Sequence, residues 1–180
     1  MNQLKIGIII GSTREGRVSP QVANWVKEQA DLRGDATYDI VDIKSFKLPL
    51  LGESEDLTSV QAWNEALASY DGFVFVAGEY NHSITGSLKN ALDSAREPWN
   101  NKAAGIVSYG SVGGARAAEH LRGILGELQI ADVRTHVALS MFTDFENWSV
   151  FKPQQLHLTN LNQMLDQLTL WAKALKTVRN

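Results

Sequence analysis

Three short apolar runs, each ending on a loop rich in glycine, serine and asparagine, set what this chain can fold into. Leu4–Ile10 is nearly continuous in β-branched residues and stops at Gly11. Phe73–Ala77, introduced by Asp71-Gly72, and Ala103–Ser108 repeat the pattern. Runs without polar alternation read as strands buried on both faces, as in a parallel sheet covered by helices on each side. The segments between them have helical spacing. Val22, Trp25, Val26 and Ala30 recur within Ser19–Leu32, with Ser19 as candidate cap and Pro20 at the first helical position. Further helices are expected over Thr58–Ser69, Thr85–Arg96 and Ala115–Leu128, and further strands over Thr37–Ile43 and Val133–Leu139. A last helix over 156–178 carries Leu161, Met164, Leu165, Leu168, Trp171 and Leu175 on one stripe. Strands alternating with amphipathic helices predict an α/β fold: a five-stranded parallel sheet with right-handed crossovers and helices on both faces. At 180 residues the chain fills one domain, 1–180.

Charge and composition narrow the partners. The net charge is −3 and the acidic and basic residues are interspersed, so no footprint for nucleic acid or an anionic membrane is visible. The absence of cysteine excludes disulfides, thiolate zinc sites, iron–sulfur clusters and cysteine nucleophiles. No run approaches the roughly 20 apolar residues that span a bilayer. A cytoplasmic protein with a small-molecule partner is expected.

Ligands of such sheets bind outside the carboxyl ends of the strands, where the three loops lie. The first, residues 11–19, offers hydroxyls from Ser12, Thr13 and Ser19, amides at a helix start, and Arg14 and Arg17. That is the outline of a phosphate monoester site. The alternative is a solvated turn with Ser19 as helix cap. It is neither a dinucleotide loop nor a Walker loop, because Gly7 and Gly11 are spaced wrongly and Gly-Lys-Ser/Thr is missing. The second, Gly78-Glu-Tyr-Asn-His-Ser83, can set Tyr80, Asn81 and backbone amides against a planar heterocycle, or Tyr80 and His82 can simply pack the loop. The third, Ser108–Gly114, has glycines at 110, 113 and 114 that let backbone approach a flat ring. Neither Ser108 nor Ser111 has the flanking glycines of a hydrolase elbow.

Together the loops resemble the NADPH-dependent FMN reductase family, which includes flavin, quinone, azo-dye and chromate reductases. The resemblance rests on Gly-Ser-Thr-Arg at 11–14 with Arg17, and on Glu-Tyr-Asn-His-Ser at 79–83 followed by Gly86, Leu88, Lys89, Asn90, Ala91 and Asp93. Tyr-Gly-Ser-x-Gly-Gly at 109–114 completes it. It implies a flavodoxin-like three-layer sandwich with strand order 2-1-3-4-5. It further implies that Ser12, Arg14 and Arg17 hold the FMN phosphate with the helix start Ser19, Pro20, Gln21 and Val22. Gly78, Glu79, Tyr80, Asn81 and Ser83 would line the ring, and Tyr109, Ser111, Gly113 and Gly114 its other edge.

Under the resemblance, hydride passes from NADPH or NADH to FMN and then to a small-molecule electron acceptor. The flavin supplies the chemistry, so no protein acid or base and no metal is expected. Of the histidines only His82 falls near the site; His120, His136 and His157 read as surface or packing residues. An electron-carrying flavodoxin and a non-catalytic FMN-binding protein are the competing readings. A homodimer or homotetramer is implied, supported by Trp99 and Trp148 in segments that read as loops at the ligand edge. The family commonly has proline where this chain has Gly78, so Gly78→Pro is expected to be tolerated and to stiffen the loop if φ there is negative, and to cost stability and flavin if φ is positive or the amide is a hydrogen-bond donor.

Overall fold

The computed structural model describes residues 3–179. Its parallel sheet runs in the order β2-β1-β3-β4-β5, from β1 (Leu4–Ile10), β2 (Ala36–Asp42), β3 (Gly72–Gly78), β4 (Lys102–Gly110) and β5 (Ile130–Asp132). The order changes direction at β1 and β3, and the expected topology holds. Alternate residues of each strand face opposite cores. Ile6, Ile8 and Ile10 pack under α1 (Ser19–Asp31) and α6 (Leu156–Lys176), whereas Ile9 faces the other side. There α3 (Thr58–Ala68), α4 (Gly86–Asp93) and α5 (Ala115–Glu127) cover the sheet. Burial on both faces is why these strands lack polar alternation, each large apolar side chain contributing about 1.5–3 kcal/mol.

Three expectations need correction. The strand expected over 133–139 forms only at its end, as β6 (Val137–Ser140); β5 stops before it at Asp132, and each of the two pairs with β4. Between them neighbouring helices take up the backbone groups: Arg122 of α5 donates to the carbonyls of Val133 and Arg134, and Gln167 of α6 accepts from the Thr135 amide. The helix expected over 85–96 stops at Asp93, and a single 3-10 turn, Glu97–Trp99, follows. Trp99 is the third correction. It is fully buried, edge-on to Trp63 and Phe73, with its indole N–H donated to the Leu92 carbonyl. It precedes β4, at the amino edge of the sheet, and so offers no surface for an oligomer.

Two small elements had no clear sequence signal. A four-residue helix, α2 (Ile43–Phe46), continues β2 and is capped by Asp42, whose carboxylate accepts from the Lys44 amide at 3.0 Å. A hairpin of β7 (Phe145–Glu146) and β8 (Val150–Phe151) follows β6.

Candidate functional site

All three loops leave the carboxyl edge of adjacent strands, β1, β3 and β4. Loop 11–18 is anchored at its first residue. The Gly11 amide donates to the Val76 carbonyl at 3.0 Å, and its own carbonyl accepts from Thr85 Oγ1 (2.5 Å) and Ser87 Oγ (3.0 Å). Thr85 also caps α4, so the loop and that helix are fixed together.

Ser19 does not cap α1. It is the first helical residue, the cap position being Val18 with no side-chain bond, and Pro20 follows as expected. The Ser19 hydroxyl is fully buried, and no hydrogen bond of normal geometry reaches it. It lies beside the Tyr109 phenol, whose pKa burial pushes up against the opposing pull of Ser19, Arg14 and Arg17. Ser12 is buried. Arg14 is exposed, and among the described residues it makes no hydrogen bond or ion pair. Arg17 instead turns onto Asp42 at the end of β2 and the Ser12 carbonyl. Gln21 grips the hairpin, donating to Ser149 O at 2.7 Å and accepting from the Phe151 amide at 3.0 Å. Val22 is a core residue.

The loop after β3 is a tight turn. Asn81 and His82 are both left-handed, with φ of 47° and 69°, and the backbones of Tyr80 and Ser83 pair across them at 2.9 and 3.1 Å. The turn leaves Tyr80 65% exposed. Glu79 points the other way. Its amide donates to the Tyr109 carbonyl at 2.8 Å, and its buried carboxylate accepts from the Arg116 amide (3.2 Å) and Nε (2.6 Å). Burial would raise the Glu79 pKa, but Arg116 and the amides at the start of α5 hold it below its ordinary value. His82 Nε2 lies 3.0 Å from Arg116 Nη1, and His120 Nδ1 lies 3.0 Å from Ser83 Oγ. The second loop is thereby bolted to the first turns of α5.

The third loop turns through Gly113 and Gly114, with φ of 71° and 70°. A Cβ on Gly114 would come within 2.7 Å of the Tyr109 amide nitrogen, so only glycine fits there. Ser108 Oγ closes the turn by donating to Gly113 O at 2.6 Å, and Ser111 and Val112 are left exposed at its tip. The Gly110 carbonyl accepts from the Met141 amide, joining this loop to the segment before the hairpin. Beyond that junction Phe142 and Trp148, both exposed, meet edge-to-face.

Gly78 overturns an expectation. It is not among the positive-φ glycines, yet a Cβ there would lie 2.7 Å from Tyr109 Cζ, so the position has no room for proline. Asp42, Arg116 and His120 are the residues that sequence reasoning missed. Arg116 had one signal: a cation in the first turn of a helix opposes the helix dipole and calls for an anion, here Glu79. The histidine expectations fared unevenly. His82 is at the site, His157 is buried beside Asp144, and exposed His120 reaches the second loop.

Known proteins resemble this chain in sequence and in fold. The family model for NADPH-dependent FMN reductase matches residues 4–144. An NAD(P)H-dependent FMN reductase of Schizosaccharomyces pombe is 36% identical over 149 residues, spanning 78% of this chain and 74% of its own. A 2-hydroxy-1,4-benzoquinone reductase of a Burkholderia species is 36% identical over 135 residues, spanning 71% and 73%. Among solved structures, a flavoenzyme NAD(P)H:(acceptor) oxidoreductase of Paracoccus denitrificans superposes with a TM-score of 0.75 at 18% identity, covering 95% of this chain and 98% of that one. That last likeness concerns the fold. On the family match and the sequence relatives, the chain belongs to the NADPH-dependent FMN reductase family and is an FMN-dependent NAD(P)H oxidoreductase.

Proposed function

We propose that this chain holds FMN with its phosphate in loop 11–18 and its ring between the second and third loops, and passes reducing equivalents from NAD(P)H to a quinone or free flavin. The observation that carries the reading is the Ser19 hydroxyl at the start of α1, fully buried beside the Tyr109 phenol with no hydrogen bond of normal geometry, together with Arg14 of the same loop, which is exposed and makes no hydrogen bond or ion pair among the described residues. A buried hydroxyl left without a hydrogen bond costs about 1–3 kcal/mol, and a phosphate oxygen at this helix start would satisfy it. Ser12 would complete that end, whereas the amides of Gln21 and Val22 are already taken by the Val18 carbonyl at 3.0 and 3.4 Å.

When bound, FMN supplies the hydride chemistry. The protein binds and orients it. Tyr80, Asn81 and Ser83 would flank the ring on one side and Ser111, Gly113 and Gly114 on the other, with Gly78 and Tyr109 forming the floor. Glu79 serves that site by fixing the second loop to α5, which sets the gap between the two loops. The quinone acceptor is suggested by the Burkholderia relative.

A homodimer or homotetramer also belongs to this reading. Leu50, Leu51 and Leu57 are 57%, 65% and 52% exposed, and Asn90 holds their segment through the Leu51 amide and the Pro49 carbonyl. Exposed leucines so close in sequence, two of them on a segment anchored by Asn90, support a subunit contact. Use of a nicotinamide nucleotide supports a cytoplasmic location.

The test is steady-state oxidation of NADPH and NADH by the purified protein, with a benzoquinone and with FMN as acceptors. Bound yellow flavin and nucleotide oxidation are expected. Arg14→Ala should weaken FMN binding by about 1.5–3 kcal/mol, the range for a hydrogen bond to a charged group. Equal affinity for FMN and riboflavin in the unaltered protein would remove the phosphate assignment.

A further inference from the structure

The two arginines of loop 11–18 are in different situations. Arg14 is exposed and unpaired among the described residues. Arg17 is largely buried, its side chain 13% exposed, and both terminal nitrogens are engaged. Nη1 donates to Asp42 Oδ1 at 2.7 Å and to the Ser12 carbonyl at 2.5 Å, while Nη2 donates to Asp42 Oδ2 at 2.5 Å. The two parallel bonds to one carboxylate are the strongest arrangement open to a guanidinium. Asp42 is fixed in turn, because it ends β2 and caps α2 through the Lys44 amide. The pairing raises the Arg17 pKa and, against its burial, lowers that of Asp42, so both stay charged at neutral pH.

We propose that Arg17 is a positioning residue that acts on the FMN phosphate through the loop, with Asp42 as its anchor, and that Arg14 supplies the charge. In a trans peptide the carbonyl and the following N–H point in opposite directions. By holding the Ser12 carbonyl on the Asp42 side, Arg17 aims the Thr13 amide away from it. The strut therefore sets which way the first amides of the loop face. The inference rests on the reading of this loop as the FMN phosphate site.

Asp42→Asn separates the two roles by sign. If Arg17 touched the phosphate, Asp42 would compete for it, and neutralising the carboxylate would tighten FMN. If Arg17 is a strut, the same change loosens the loop and weakens FMN although the local charge becomes more positive. Asparagine keeps the cap of α2, since it is as good a cap as aspartate.

The experiment measures flavin release from the full-length holoprotein on dilution, by recovery of flavin fluorescence, and the retention of riboflavin under the same conditions. Asp42→Asn and Arg17→Gln should each weaken FMN by about tenfold and leave riboflavin unchanged, because riboflavin lacks the phosphate. The double variant should be no weaker than either single one, since the two residues act as one unit. Arg17→Lys keeps the charge but cannot make two parallel bonds, so it should behave like Arg17→Gln. FMN held equally or more tightly by Asp42→Asn, additive losses in the double variant, or full retention by Arg17→Lys would each overturn the proposal. A parallel loss of riboflavin would also overturn it, showing general destabilisation. An unaltered protein that holds no FMN fails the phosphate reading itself, and the proposal with it.

Discussion

The ring of Tyr109 lies so close to Gly78 that a Cβ there would meet its Cζ and hydroxyl oxygen at 2.7 Å. The two residues are register partners in adjacent strands, Gly78 ending β3 and Tyr109 in β4. The phenol also neighbours Ser19 and the arginines of loop 11–18. The glycine thus makes the space in which a residue of the third loop reaches the first.

Gly78→Ala and Gly78→Pro should therefore destabilise the protein, by about 1–3 kcal/mol for overpacking, and should lower FMN retention because the Tyr109 ring must move. Thermal melts and flavin titration check this. A Gly78→Ala protein as stable and as yellow as the original would show that the ring yields freely.

Ser19→Ala should have opposite effects on the two states. Removing a buried hydroxyl that lacks a partner should leave the flavin-free protein as stable or more stable, and should weaken FMN by about 1 kcal/mol or more. Melting temperatures with and without FMN provide the measurement. Equal shifts in both would place the hydroxyl outside the ligand site.

Lys102 predicts a pH dependence of stability. It is buried at the amino edge of the sheet, donates to the Leu67 carbonyl at 2.7 Å, and lies 5.3 Å from the Phe73 ring centroid. Burial, and secondarily the charge of Arg179, lower its pKa to about 8. The unfolded chain keeps a lysine pKa of about 10.4, so above pH 8 the unfolded state holds a proton that the folded state has lost. Stability to urea should rise with pH from about 8 to 9.5, before tyrosine ionisation intervenes. Lys102→Met should flatten the rise and be the more stable protein at pH 7. An unchanged slope in that variant would assign the effect elsewhere.

Leu50→Ser combined with Leu51→Ser should shift the protein toward the 19.9 kDa monomer in sedimentation at micromolar concentration, with flavin content unchanged. A monomer already present in the unaltered protein would remove the oligomer from the reading.

The strands were legible because burial on both faces leaves unbroken apolar runs, and Leu4–Ile10 begins and ends where the sequence places it. The three loops were legible for a related reason: glycines and small polar residues occur only singly inside such strands, as at Gly7 and Gly105, so their clustering marks strand ends. Sequence alone also set the three loops in the order in which they line one edge of the sheet. It was silent on what each charged group in those segments faces. Arg14 and Arg17 look alike in the chain, but only the fold brings Asp42, 25 residues away, against the second of them. The sequence places Glu79 among the ring-lining residues, and only the fold shows its carboxylate taken by Arg116 of α5. Trp99 reads as a loop aromatic until helices close over it, and Gly78 reads as a flexible substitute for proline until Tyr109 fills its space. Apolar periodicity is a local property that the chain writes along its length. The pairing of a charge and the room beside a Cα depend on residues distant in sequence, and the tertiary structure alone decides them.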